Sequence, residues 1–258
     1  MKGVIFPEEF IEIVETDAPL ISRLGGWVLS EALSQIEKWG KLGRSYSVLV
    51  NVGGLHFLNP GFLEQWNTLW SNFPGVSRSD LRIGISESAA IRDVATSLFL
   101  IEALRNGGTE VVLCSFGSVS SSLTALGRLP VSGIAIDRHL TRTLLTGPSS
   151  IAVVSGILAM ARTLNRDLLL SGIESIEQGI LFMAAGGSHA QGYAAGLPMD
   201  PGGILDWSES FALPGDWRFW SELSWPQNEM DLLRGGAGGK APVPAVVGKS
   251  RGCSRISS

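Results

Sequence analysis

The residues that invite a chemical reading are a glycine-rich run ending in lysine, two cysteines and three histidines. The run GGAGGK at residues 235–240 suggests a phosphate-cradling loop, but such a loop opens on glycine and follows its lysine with a hydroxyl. Here Arg234 takes the opening position and Ala241 the hydroxyl position, so the run lacks the parts that hold phosphate and magnesium. Cys114 and Cys253 stand far apart, which excludes a disulfide-built scaffold and suits a reducing compartment. His56, His139 and His189 have no zinc-ligand spacing between them. Trp207, Trp217, Trp220 and Trp225, half of the chain's eight tryptophans, crowd one stretch. They read either as packing against the body of the protein or as an adhesive surface for a partner.

The elements that would position these residues alternate. Apolar runs at 47–52, 81–86, 110–113, 133–136, 167–170 and 190–193 read as short strands, most of them rich in Val, Ile or Leu as parallel strands buried on both faces are. Helical periodicity occupies 7–15, 20–39, 60–72, 88–106, 120–126, 149–165 and 175–185. Pro60 after Asn59 marks a helix start, and Gly107–Gly108 after Arg105 a helix stop. Repeated strand–helix alternation predicts a parallel α/β fold, and the missing dinucleotide fingerprint favours a barrel over an open doubly wound sheet.

Charge is uneven along the chain. Lys and Arg number 20 against 24 Asp and Glu, for a net charge of −4, which does not suit a nucleic-acid coat. Residues 234–258 hold five cations (Arg234, Lys240, Lys249, Arg251, Arg255) and no acid, whereas residues 1–233 hold 15 cations and 24 acids. This Gly/Pro/Ser-rich end reads as a solvated, disordered basic tail, residues 201–225 as irregular, and 201–233 as a Trp-rich extension of a main domain at 1–200. With no signal-peptide pattern and no apolar run of roughly 18 residues, a soluble, cytoplasmic protein without a membrane segment is expected.

Seven segments, in order, resemble the EAL-domain family of bacterial cyclic di-GMP phosphodiesterases. GVIFPEEFIEIVE (3–15) is similar to the family's G-x-I-x-P-x-x-F-I-x-x-A-E, and LGGWVLSEAL (24–33) to L-G-x-W-V-L-x-x-A. NVGGLHF (51–57) resembles N-L-S-x-x-x-F, and ISES (85–88) resembles I-T-E-S. FGSVSSSLTALGRLPVSGIAIDR (116–138) resembles the stretch from F-G-T-G through L-K-I-D-R. SGIESIEQ (171–178) resembles E-G-V-E-T-x-E-Q, and QGYAAGLPM (191–199) resembles Q-G-Y-x-F-x-x-P-M. The name-giving E-A-L-x-R-W would precede Met1. The tripeptides at 31–33 and 102–104 lie inside helical patterns without the following x-Arg-Trp and are chance matches.

The resemblance implies hydrolysis by two Mg²⁺ or Mn²⁺ ions, held by oxygen ligands at the C-terminal ends of barrel strands. Carried over position by position, it finds few ligands. The strand-end asparagine is kept as Asn51, the second glutamate of E-G-V-E as Glu174 and the glutamine of Q-G-Y as Gln191. Glu87 matches a glutamate that steadies a loop in the family. The first glutamate of E-I-T-E is Gly84, the paired aspartates are Cys114 and Ser115, the lysine of K-I-D is Ala135 and the glutamate of A-E-G is Ser171. Plainer roles stand beside these: Asn51 capping a strand end, Cys114 a small buried hydrophobe.

The resulting expectation is a TIM-barrel-like (β/α) fold with six readable parallel strands, the family's first two falling before Met1. Residues 201–225 or a second copy would then cover the open edge. No intact catalytic set and no metal or other cofactor is expected. The predicted role is a degenerate, non-catalytic regulatory or protein-interaction module acting through a protein partner or homodimer. The alternatives are a phosphodiesterase, or a cyclic di-GMP receptor contacting ligand through Gln191 and Glu174.

Overall fold

The short branched-aliphatic runs become parallel strands with two different faces. The computed structural model describes residues 7–118, 123–218 and 246–247. Helices α1 (Pro7–Val14) and α2 (Ala18–Lys41) lead into β1 (Val48–Val52), α3 (Gly54–Phe57) and α4 (Phe62–Ser71). Next come β2 (Leu81–Ser86), α5 (Glu87–Arg92), α6 (Val94–Asn106), β3 (Glu110–Phe116), α7 (Leu123–Arg128), β4 (Gly133–Ile136) and α8 (Arg138–Arg142). The remainder is α9 (Pro148–Thr163), β5 (Asp167–Ser171), α10 (Ile176–Ala184), β6 (His189–Gln191), α11 (Gly203–Ser210) and β7 (Val246–Val247). The sheet order is β6-β5-β4-β3-β2-β1-β7, and every pairing is parallel. Strands β1–β6 form a half-barrel with helical crossovers, as the alternation predicts.

Alternation along each strand separates the faces. Val48, Val50, Val52, Ile83, Ile85, Val111, Leu113, Ile134, Ile136, Leu168 and Leu170 join the large core shared with the helices. Leu49, Val112, Ala135 and Leu169 form a second, smaller cluster, with Cys114 packed against it. Near the strands' N-terminal ends Arg82 pairs with Glu110 at 2.7 Å and with Asp167 at 3.8 Å.

Several elements differ from the sequence reading. The helical pattern at 88–106 is broken at Asp93, whose carboxylate caps the second half by accepting from the Thr96 N–H at 3.0 Å. Helices α3 and α8 are too short to show a period. Residues 201–225 were expected to be irregular, yet 203–210 form α11, with Ile204 buried, because this segment has an apolar face to cover. Trp217 is buried as well; Trp220 and Trp225 lie outside the described residues. The end read as a solvated tail contributes β7, which pairs Val246 with Val48 and Val247 with Leu49 along the edge of β1. Among the described residues no helix is long and apolar enough to cross a membrane.

Candidate functional site

The C-terminal strand ends bring most of the singled-out residues to one rim. Register places Asn51 of β1 beside Gly84 of β2, and Ser86 of β2 beside Cys114 of β3. Ser171 of β5 lies beside Gln191 of β6. The rim divides into two parts with different chemistry.

On the β1–β3 side the side chains close on one another. The Cys114 thiol lies 3.5 Å from Asn51 Oδ1, with the thiol donating. Gly84 leaves the space for this contact. A Cβ at position 84 would overlap Asn51 Oδ1 and come within 2.9 Å of Cys114 Sγ. Burial against Leu49, Val112, Ala135 and Leu169 pushes the Cys114 thiol up to about 12, so it stays protonated at neutral pH. Ser115 has φ 57°, in the left-handed region, and the β3–β4 register shifts between Leu113 and Phe116. This irregularity carries the chain past Cys114 and Ser115. Ala135 is 3% exposed within the apolar cluster. Glu87 is buried in the first turn of α5, behind the Ser86 cap whose hydroxyl accepts from the Ala89 N–H at 3.2 Å.

On the β5–β6 side the groups are polar and partly solvated. Glu174 pairs with Arg142 at 3.2 Å, each about half exposed. The Gln191 carbonyl accepts from the Gly172 N–H at 2.7 Å and the Ile173 N–H at 3.0 Å, tying β6 to the loop after β5. The Gln178 side-chain oxygen accepts from the Glu174 N–H at 2.8 Å and completes a capping box with Ser175. Thr141 donates its hydroxyl to the Ser171 carbonyl at 2.7 Å.

Arg142, Thr141 and Gln178 were not singled out from the sequence. The Ser175-x-x-Gln178 spacing is a readable capping signal. The contacts of Thr141 and Arg142 join positions about 30 residues apart, and nothing local marks them. His56, His139 and His189 remain separate: His56 is buried against Gln65 (2.7 Å), His139 pairs with Asp137 (2.7 Å), and His189 bonds Ser188 (2.8 Å).

A pair of hard divalent ions needs several carboxylate oxygens around it. The β1–β3 rim offers an amide, a bare glycine and a protonated thiol, and a thiol is a soft ligand. Its one buried carboxylate, Glu87, sits inside a helix turn. The ends of β4–β6 add Asp137, whose carboxylate caps α8 and bonds His139, and Glu174, which already pairs with Arg142. This donor set does not fit two such ions. Among the described residues no three of His, Cys, Asp and Glu converge as metal ligands.

Comparison with known proteins places this rim in context. Residues 1–198 match the family model described as EAL domain. The chain is 34% identical over 199 residues to the bifunctional diguanylate cyclase/cyclic di-GMP phosphodiesterase MucR of Pseudomonas aeruginosa, covering 76% of this chain and 29% of that protein. It is 31% identical to the cyclic di-GMP phosphodiesterase RocR of the same organism, covering 80% of this chain and 52% of that protein. The chain therefore spans only part of the length of these relatives. The solved complex of the PaMucR phosphodiesterase with c-di-GMP superposes with a TM-score of 0.73 at 32% identity, covering 78% of this chain and 81% of that one.

Proposed function

This chain belongs to the EAL domain family, and from that premise we propose that it serves cyclic di-GMP signalling as a degenerate, non-catalytic regulatory or protein-interaction module. The observation that carries the reading is the Asn51–Cys114 contact across Gly84. Where family resemblance calls for carboxylates, an amide and a neutral thiol satisfy each other over a glycine. Each missing carboxylate removes negative charge that would offset dehydration and mutual repulsion of two dications. Ala135 removes the cation that would face phosphate or position water, and its place is now apolar.

Restoring one group does not rebuild such a site, because a two-ion cage needs its ligands together. Cys114→Asp alone is accordingly expected to be inactive with Mn²⁺ or Mg²⁺. The chain then acts through contacts, with a protein partner or a second copy. A second reading, a receptor that binds cyclic di-GMP without cleaving it, is favoured by one observation. Ser171 and Gln191 are register neighbours, and Glu174 follows in the same loop, so the retained polar groups remain together. Calorimetry with cyclic di-GMP in EDTA separates the two. Saturable heat lost in Gln191→Ala supports the receptor, and no heat supports the interaction module.

A further inference from the structure

The family match ends at residue 198, yet the next twenty residues make contacts near both β1 and β6 of the half-barrel. On the β1 side, the hydroxyls of Ser208 and Tyr46 lie 2.5 Å apart, and Glu209 pairs with Arg44. Both partners belong to the segment leading into β1. On the β6 side, Trp207 packs on Gly196, just past that strand, and its ring lies 4.9 Å from Phe211. The segment then reaches α10. Trp217 is 1% exposed, and its indole N–H donates to the Ile176 carbonyl at 2.7 Å. Gly179 makes the seat, since a Cβ there would overlap the indole ring.

Ile176 is the first residue of α10, and two residues before it stands Glu174. The same turn is held by the Ser175–Gln178 capping box, and Ile173 binds the Gln191 carbonyl. Trp217 thus bears on the turn that fixes both retained polar groups of the rim.

We propose that residues 203–217 form a strap joining the β1 lead-in to α10 beside β6, and that Trp217 is a positioning residue for the loop carrying Glu174 and for the β6 strand carrying Gln191. A barrel removes its edges by closure. This half-barrel is instead tied by side-chain anchors, at the β1 lead-in through Tyr46 and at α10 through Trp217. The inference does not depend on whether the chain binds cyclic di-GMP.

Amide hydrogen exchange on the full chain tests it, comparing Trp217→Ala and Trp217→Phe with the parent. The expected result is at least tenfold faster exchange at residues 173–178 and 189–191, with β2 and β3 unchanged. Trp217→Phe keeps most of the ring volume and loses the donor, so it serves as the readout if Trp217→Ala does not fold. A second variant, Tyr46→Phe with Ser208→Ala, breaks the other anchor and is expected to speed exchange in α11 and the residues before β1. Unchanged exchange at 173–178 in the folded Trp217 variants, or an equal rise in every strand, overturns the proposal.

Discussion

The two sides of the rim have the same origin in the fold and different chemistry. At the ends of β1–β3, Cys114 packs against Leu49, Val112, Ala135 and Leu169 and reaches an exposed Asn51 across Gly84, so the apolar cluster extends to the rim on this side. At the ends of β5 and β6, Ser171, Glu174 and Gln191 keep solvent access, an ion pair and a network of backbone hydrogen bonds. The difference is what motivates the proposed non-catalytic reading. Small and apolar side chains on one side let the strands pack. The other side keeps polar groups in contact with solvent.

The largest effect should come from putting the family's charge back into the packed side. Ala135→Lys places an ammonium among Leu49, Val112 and Leu169. Leaving a buried charge uncompensated costs about 3–5 kcal/mol, read by urea unfolding. A cost below about 1 kcal/mol would mean that this face is open to water. Gly84→Glu comes next. Its side chain must displace both Asn51 and Cys114, and overpacking of this kind costs about 1–3 kcal/mol. Combining it with Asn51→Ala should recover part of that loss in a double-mutant cycle.

A third measurement concerns the thiol itself. With Cys114 pushed up to about 12, the folded protein holds this proton after an unfolded chain, at roughly 8.5, has released it. Its contribution to stability is therefore present below about pH 8.5 and fades as pH rises above that value. In a Cys253→Ser background, alkylation at pH 8 should be at least tenfold slower folded than in denaturant. The smallest effect belongs to the solvated side. Glu174→Gln removes a half-exposed ion pair and should change stability by less than about 0.5 kcal/mol. A larger loss would bring this side closer to the packed one.

The strands were legible because a parallel strand covered on both faces reads as a short aliphatic run, as in Leu168–Leu170 and Gly133–Ile136. The end of β3 was not, because Cys114 and Ser115 interrupt that run where the register shifts. Helix α11 was hidden because it is short, lies between the breakers Pro201–Gly202 and Pro214–Gly215, and makes its contacts with distant residues such as Tyr46 and Gly196. The positions of the rim residues followed from family motifs. Their pairing did not: only the folded register brings Cys114 to Asn51 across Gly84, and Arg142 to Glu174.

The central claim is that the packed side of the rim cannot hold the ions that hydrolysis requires. Its most direct test is incubation of the purified full chain with cyclic di-GMP and Mn²⁺, following the linear dinucleotide chromatographically. The account predicts no product above a protein-free control. Metal-dependent product that Asn51→Ala abolishes would contradict it.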